Sequence, residues 1–158
     1  MRRTKGFSLI ELLIVVAIIL IIAAIAVPSF LRSRIAANES SAVASVRTVN
    51  TAEISYNSAY PSVGFAASLT VLSGTSCTPP SSSGACLIDS VLAGGQRTGY
   101  SFTITNVTGT PNSTYNIMAS PILYNYSGMH YYCSYADAVV RVSTATISAC
   151  DNTVSPQN

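Results

Sequence analysis

Glu11 is the one acid at the head of an apolar run, Leu12 to Val27, that is sixteen residues long. An isolated carboxylate placed in hydrocarbon costs roughly 2.5–3.5 kcal/mol on insertion scales, so it is kept only where it finds a partner. The chemistry this spacing points to is ion pairing, not bond breaking. His130 is the only histidine, and no serine or cysteine is spaced to act as a nucleophile beside it. The acids after Glu53 are Asp89, Asp137 and Asp151. Asp137 and Asp151 are two scattered carboxylates, short of the six to eight oxygens around a calcium ion. Tyr124, Tyr126, Tyr131, Tyr132 and Tyr135 crowd the last third of the chain. Strands favour tyrosine, so sheet packing or subunit contact is expected of them before an aromatic path or a glycan site. These residues predict a chain that is not an enzyme and takes no cofactor and no metal.

Four cysteines, Cys77, Cys86, Cys133 and Cys150, all follow the apolar run. An even count in an exported domain implies two disulfides. Four cysteines allow three pairings. Cys77–Cys86 with Cys133–Cys150 is the expected one because each closes a short local loop, contributing ~3 kcal/mol on a loop-entropy argument. The absence of any Cys-x-x-Cys spacing counts against zinc.

The elements that must position these groups follow from charge and periodicity. Eight Lys and Arg face six Asp and Glu, but Arg2, Arg3 and Lys5 all lie in Met1–Gly6; without that segment the net charge is −1. The basicity thus marks a cytoplasmic end by the positive-inside rule and does not indicate a nucleic-acid surface. Phe7 to Val27 spans 21 residues, enough to cross a bilayer. A conventional signal peptide fits poorly, because Glu11 interrupts the apolar region and helical patterning continues past Ala24-Ile25-Ala26. Over residues 29–60, Ile35, Ala42, Val46, Val49, Ala52, Tyr56 and Tyr60 make one stripe of an amphipathic helix, with Asn38, Ser41, Arg47 and Asn50 largely off it. Pro61 ends the helix. Pro28, inside it, removes a backbone bond and predicts a kink or local melting.

Residues 61–99 are rich in Ser, Gly, Pro and Thr. Phe65–Leu72 suits a strand or a helical turn, Leu87–Ala93 a short helix ended by Gly94-Gly95, and Thr78–Gly84 a solvated loop. From Tyr100 the pattern alternates. Strands are expected at Tyr100–Thr105, Tyr115–Ala119, Met129–Tyr135 and Ala138–Val142, with Ala145–Ala149 a possible edge. The fold class is α+β: a long N-terminal helix, its amphipathic half packed on an antiparallel meander.

Lys5-Gly6-Phe7-Ser8-Leu9-Ile10-Glu11 followed by the apolar run resembles the class III leader and helix start of type IV pilins and of the pseudopilins of type II secretion. The run Gly99-Tyr100-Ser101-Phe102-Thr103 and the stretch from Cys133 to Arg141 resemble the pilin sheet more weakly. Phe30 stands where the family often has tyrosine. The resemblance implies a leader at 1–6, a membrane and filament-core helix at 7–28, an amphipathic helix at 29–60, a connecting region at 61–99 and a disulfide-closed sheet region at 100–158. It implies cleavage by a prepilin peptidase between Gly6 and Phe7, where a glycine cannot obstruct the protease. It implies N-methylation of the Phe7 amine, which stays protonated near neutral pH. Glu11 would then meet the Phe7 amine of a neighbouring copy during assembly. The implied partners are identical subunits in a homopolymer, the peptidase, the inner-membrane pilus assembly machinery and, before assembly, the membrane itself. The implied location is the bacterial inner membrane for the precursor and an extracellular filament afterwards. Family roles include adhesion, twitching motility and DNA uptake. A secretion pseudopilin shares the same leader, and a membrane-tethered binding domain that never polymerises is the reading from another class.

Overall fold

The computed structural model describes residues 6–74, 77 and 79–157; Arg2, Arg3 and Lys5 of the leader and Thr78 of the loop lie outside them. The chain divides into two compact units, Met1–Arg34 and Ile35–Asn158. Helix α1, Leu9–Ala59, belongs to both and contains Pro28 without ending there. In the first unit it is apolar on every side from Leu12 to Val27. In the second it is amphipathic, and Tyr60 N–H still bonds to Tyr56 C=O before Pro61 stops the pattern.

The second unit adds α2 (Leu69–Ser73), α3 (Ser90–Ala93) and five strands: β1 (Gln96–Arg97), β2 (Tyr100–Gly109), β3 (Asn112–Pro121), β4 (Tyr131–Tyr135) and β5 (Arg141–Ser143). The sheet is a sequential meander, β1-β2-β3-β4-β5, antiparallel throughout. Side chains alternate between its faces. Tyr100 and Phe102 on β2, Tyr115, Ile117 and Ala119 on β3, and Tyr132 on β4 enter one core with Ala42, Val46, Val49, Ala52 and Tyr56 of α1. Each such large side chain contributes roughly 1.5–3 kcal/mol by leaving water.

The helical stripe is buried as its spacing predicts, with Ile35 and Tyr60 half-buried at its ends. Asn50 departs from the expectation. It is buried, donates to Ser134 Oγ at 2.9 Å and to Ala138 C=O at 3.2 Å, and accepts the Tyr115 hydroxyl at 3.0 Å. These bonds fix α1 against β3, β4 and the turn after β4. Glu53 is also fully buried. Its Oε2 accepts the Ala66 N–H at 2.8 Å, and its Oε1 has no hydrogen-bond partner among the described residues. Burial lifts this carboxyl from 4.5 to about 7, against the lowering effect of the Ala66 bond.

Cys77 pairs with Cys86, and Cys133 with Cys150. The second bridge, with Ile147, Met118, Tyr131, Tyr135 and Val154, forms a separate cluster. Its members on β3 and β4 alternate with the core residues, so this cluster covers the sheet face turned from α1. Residues 145–149 therefore do not add an edge strand. Cys133 holds Cys150 over the face of β4, and the β5 edge is met by the tail, with Val142 N–H on Ser155 C=O and Gln157 N–H on Val140 C=O, both 2.9 Å. α3 is shorter than Leu87–Ala93 because Asp89 caps it, accepting the N–H groups of Val91 and Leu92 at 3.0 Å each.

Gly64 closes the join between α1 and the sheet. It sits at φ +86°, and a Cβ there would lie 2.1 Å from the backbone oxygen of Asn112. Both the left-handed backbone and the clash with main chain oppose any side chain. Gly64→Ala is expected to destabilise the second unit by about 2–4 kcal/mol, read as a fall in the thermal midpoint by circular dichroism.

Candidate functional site

In the first unit, the helix start is built from Ser8 and Glu11. The Ser8 N–H donates to Glu11 Oε2 at 2.9 Å, and Leu12 N–H reaches Ser8 C=O at 3.2 Å. This is one half of a capping box, and the Ser-x-x-Glu spacing signals it in sequence. The acid also sits in the first turn, where the helix dipole favours negative charge. A carboxylate has capacity for further donors beyond this one bond.

Every described residue from Gly6 to Arg34 is exposed except Ala23, which is half-buried. Phe7, Leu9 and Ile25 are 76%, 80% and 73% exposed. An apolar surface of this extent, all round one helix, is stable only when lipid or protein covers it. Among the described residues, α1 is the one helix long and apolar enough to cross a membrane. Nothing lies within 4 Å of a Cβ built on Gly6. The fold of this chain thus gives no crowding reason for glycine at that position.

In the second unit, four hydroxyls on the exposed side of α1 are satisfied within the helix. Thr48, Thr51, Ser55 and Ser58 each return their hydroxyl to the carbonyl four residues earlier, at 2.9–3.0 Å. Their hydrogen bonding is met locally, which leaves small, self-satisfied side chains on the surface.

The remaining candidates are engaged structurally. His130 is not isolated: its Nδ1 lies 3.0 Å from Glu39 Oε1, and the same oxygen accepts the N–H groups of Met129 at 2.7 Å and His130 at 3.2 Å. A histidine paired this way braces the β3–β4 loop on α1. Glu39→Ala is expected to speed proteolytic cleavage of the 122–130 loop several-fold while the far-ultraviolet spectrum is unchanged, because three bonds holding that loop are lost. Asp137 is gripped by Arg141, with Nη2 to Oδ2 at 2.6 Å and Nη1 to Oδ1 at 3.1 Å. Desolvation raises the Asp137 carboxyl, but the bonds from Arg141 and the Val139 N–H outweigh it and hold it low. The Arg141 guanidinium also stacks 4.3 Å over the Tyr135 ring. Asp151 binds Thr153 in its own turn. Among the described residues, no group of three His, Cys, Asp or Glu could hold a metal ion. Tyr56, Tyr100, Tyr115 and Tyr132 belong to the core, whereas Tyr124 and Tyr126 are exposed.

The helix start and the exposed apolar segment are matched by comparison with known proteins. The family model for the prokaryotic N-terminal methylation motif matches residues 1–27. The chain is similar, over these segments, to type IV major pilins. It is 46% identical over 54 residues to the type IV major pilin protein PilA of Myxococcus xanthus, a match covering 34% of this chain and 24% of that protein. It is 59% identical over 39 residues to the type IV wide pilus major component PilA4 of Thermus thermophilus, covering 25% of this chain and 30% of that protein. The chain thus spans less than a third of the length of either relative it matches. No solved structure matches it. The motif and the apolar helix fit a membrane-anchored precursor, and the architecture of long helix and antiparallel sheet is pilin-like.

Proposed function

We propose that this chain is the major structural subunit of a type IV pilus and not an enzyme. The observation that carries the proposal is the apolar helix surface from Phe7 to Val27, exposed on all sides and headed by a methylation motif. Such a surface requires lipid first and other copies of itself later. The precursor is held in the inner membrane, a prepilin peptidase cuts between Gly6 and Phe7, and the Phe7 amine is methylated. The inner-membrane pilus assembly machinery then moves the helix from bilayer to filament, where apolar packing replaces lipid. Pro28 lies inside α1, where it removes one backbone hydrogen bond. Glu11 pairs with the Phe7 ammonium of a neighbouring subunit and sets its axial register. Both relatives carry names of major pilus components, which favours a pilus over a secretion pseudopilus. The filament then serves adhesion, twitching motility or DNA uptake from the cell surface.

The test is electron microscopy of material sheared from cells that make the protein at its native level. Long filaments labelled by antibody to residues 100–158, and absent when the protein is deleted, are expected. Bare cells at native level, with short filaments only on overproduction, would favour the pseudopilus.

A further inference from the structure

Glu53 takes no part in the helix start or the apolar segment. It is fully buried on α1 and receives one hydrogen bond, from the Ala66 N–H to Oε2 at 2.8 Å. Its Oε1 is buried with no donor among the described residues. The ionisable groups beside it are Tyr56 on α1 and Tyr115 on β3; burial, then the Glu53 charge, raises the pKa of each hydroxyl. Tyr60 adds to the effect on Tyr56, and Asp137 to that on Tyr115. Neither hydroxyl serves Glu53. Tyr56 donates to Ser82 C=O at 2.6 Å, and Tyr115 to Asn50 Oδ1 at 3.0 Å. Among the described residues no cation acts on the carboxyl; burial and the Ala66 bond are the effects on it.

The segment that follows α1 closes over this acid and is clipped first by Asn112. Val63 C=O accepts the Asn112 N–H at 2.8 Å, the Phe65 N–H donates to Asn112 C=O at 3.0 Å, and Asn112 Nδ2 donates to Phe65 C=O at 2.8 Å. One residue later the pattern changes. The Ala66 N–H meets no backbone carbonyl and is held by Glu53. Ala66 is fully buried, whereas Ala67 beside it is exposed. The Ala66 end of the segment therefore stands between the carboxyl and solvent, while Tyr115, on the other side, lies within the core. A glutamine would accept the same Ala66 bond and bury no charge. The acid makes the closure conditional on a proton.

We propose that residues Ala66–Ser68 form a proton-controlled strap, closed over Glu53 while its carboxyl is neutral and lifted to admit water when it ionises. The Asn112 clip stays shut and serves as the hinge. Lifting gives the charge the water it lacks and leaves the α1 stripe packed on the sheet. The strap lies within the second unit and does not depend on cleavage, methylation or polymerisation. With the strap closed the carboxyl titrates at about 7; with water admitted it returns toward 4.5. The open form thus binds fewer protons, so opening is favoured as pH rises between those values and reaches its limit above about 7.

The test is amide hydrogen exchange of the full chain in detergent, read by mass spectrometry of its peptides and corrected for the intrinsic pH dependence of exchange. The amides of Ala66–Ser68 are expected to lose protection by about tenfold per pH unit between pH 4.5 and about 7, and no further above that. The amides of β3 from Tyr115 to Ala119 should stay better protected by about a hundredfold or more at every pH, since a local opening costs less than unfolding the sheet. Glu53→Gln should hold Ala66–Ser68 at one level of protection across the range. Should that variant not fold, the pH profile of the parent decides. A flat parent profile, or a slope that survives in Glu53→Gln, overturns control of the strap by this acid. Equal protection of Ala66–Ser68 and β3 would mean that both open only by global unfolding, and overturns the strap itself.

Discussion

Glu11→Ala is expected to leave the protein made, inserted and processed, yet to cut filament yield about tenfold or more. The attraction between Glu11 and a neighbour's ammonium is about 4 kcal/mol at 4 Å and an effective dielectric of 20. Desolvation offsets most of it, so the net effect per contact is small. A net ~1.4 kcal/mol is already a factor of ten in an equilibrium, and register errors compound along a filament. The structure adds a second effect of the alanine: it removes the acceptor for the Ser8 N–H, at a typical cap cost of about 1 kcal/mol. Glu11→Gln separates the two. A glutamine side chain still accepts the Ser8 N–H, as capping boxes allow, but carries no charge. Ion pairing predicts that glutamine fails nearly as badly as alanine when sheared filament is quantified against cell-bound subunit. Normal yield from the glutamine variant would reduce Glu11 to a helix cap.

The second large effect belongs to Glu53 and concerns stability. Its folded carboxyl titrates near 7 against 4.5 for an ordinary glutamate. Between those values the folded protein binds the proton that the unfolded chain releases, so stability falls as pH rises. The contribution is complete below about 4.5 and is lost as pH passes through about 7. At about 1.4 kcal/mol per pKa step the loss approaches ~3 kcal/mol. The buried Oε1 without a partner is the physical source, since a charge there has neither water nor a donor. Glu53→Gln keeps an acceptor for Ala66 and removes the charge. It should flatten the fall in thermal midpoint between pH 4.5 and 7 and leave the variant more stable than the parent at pH 8. A parent whose midpoint rises over the same range would contradict this account of Glu53.

The parts of the fold carried by local periodicity are legible in the chain. The stripe from Ile35 to Tyr60 needs only the 3.6-residue repeat, and β2 and β3 need only alternation between turn residues. What is not legible depends on partners distant in sequence. Asn50 reads as a surface residue until Tyr115, Ser134 and Ala138, at least 65 residues away, close around it. His130 reads as solitary because Glu39 is 91 residues earlier. β1, two residues long, has no pattern to detect. The course of residues 144–157 is decided by the Cys133–Cys150 bridge and the tail on β5, which no propensity encodes. At the candidate site the position is reversed. The methylation motif, the apolar run and Glu11 are consecutive residues and can be read directly, including the Ser8-x-x-Glu11 cap.

Under the proposed function, the apolar helix leaves the membrane by joining copies of itself after its leader is removed. Mass spectrometry of the N-terminal peptide from sheared surface filaments is the decisive test. The expected subunit begins at Phe7 and carries one extra methyl group on its amine. Surface protein that still begins at Met1, or that is recovered as single copies with Phe7–Val27 in lipid, would contradict it.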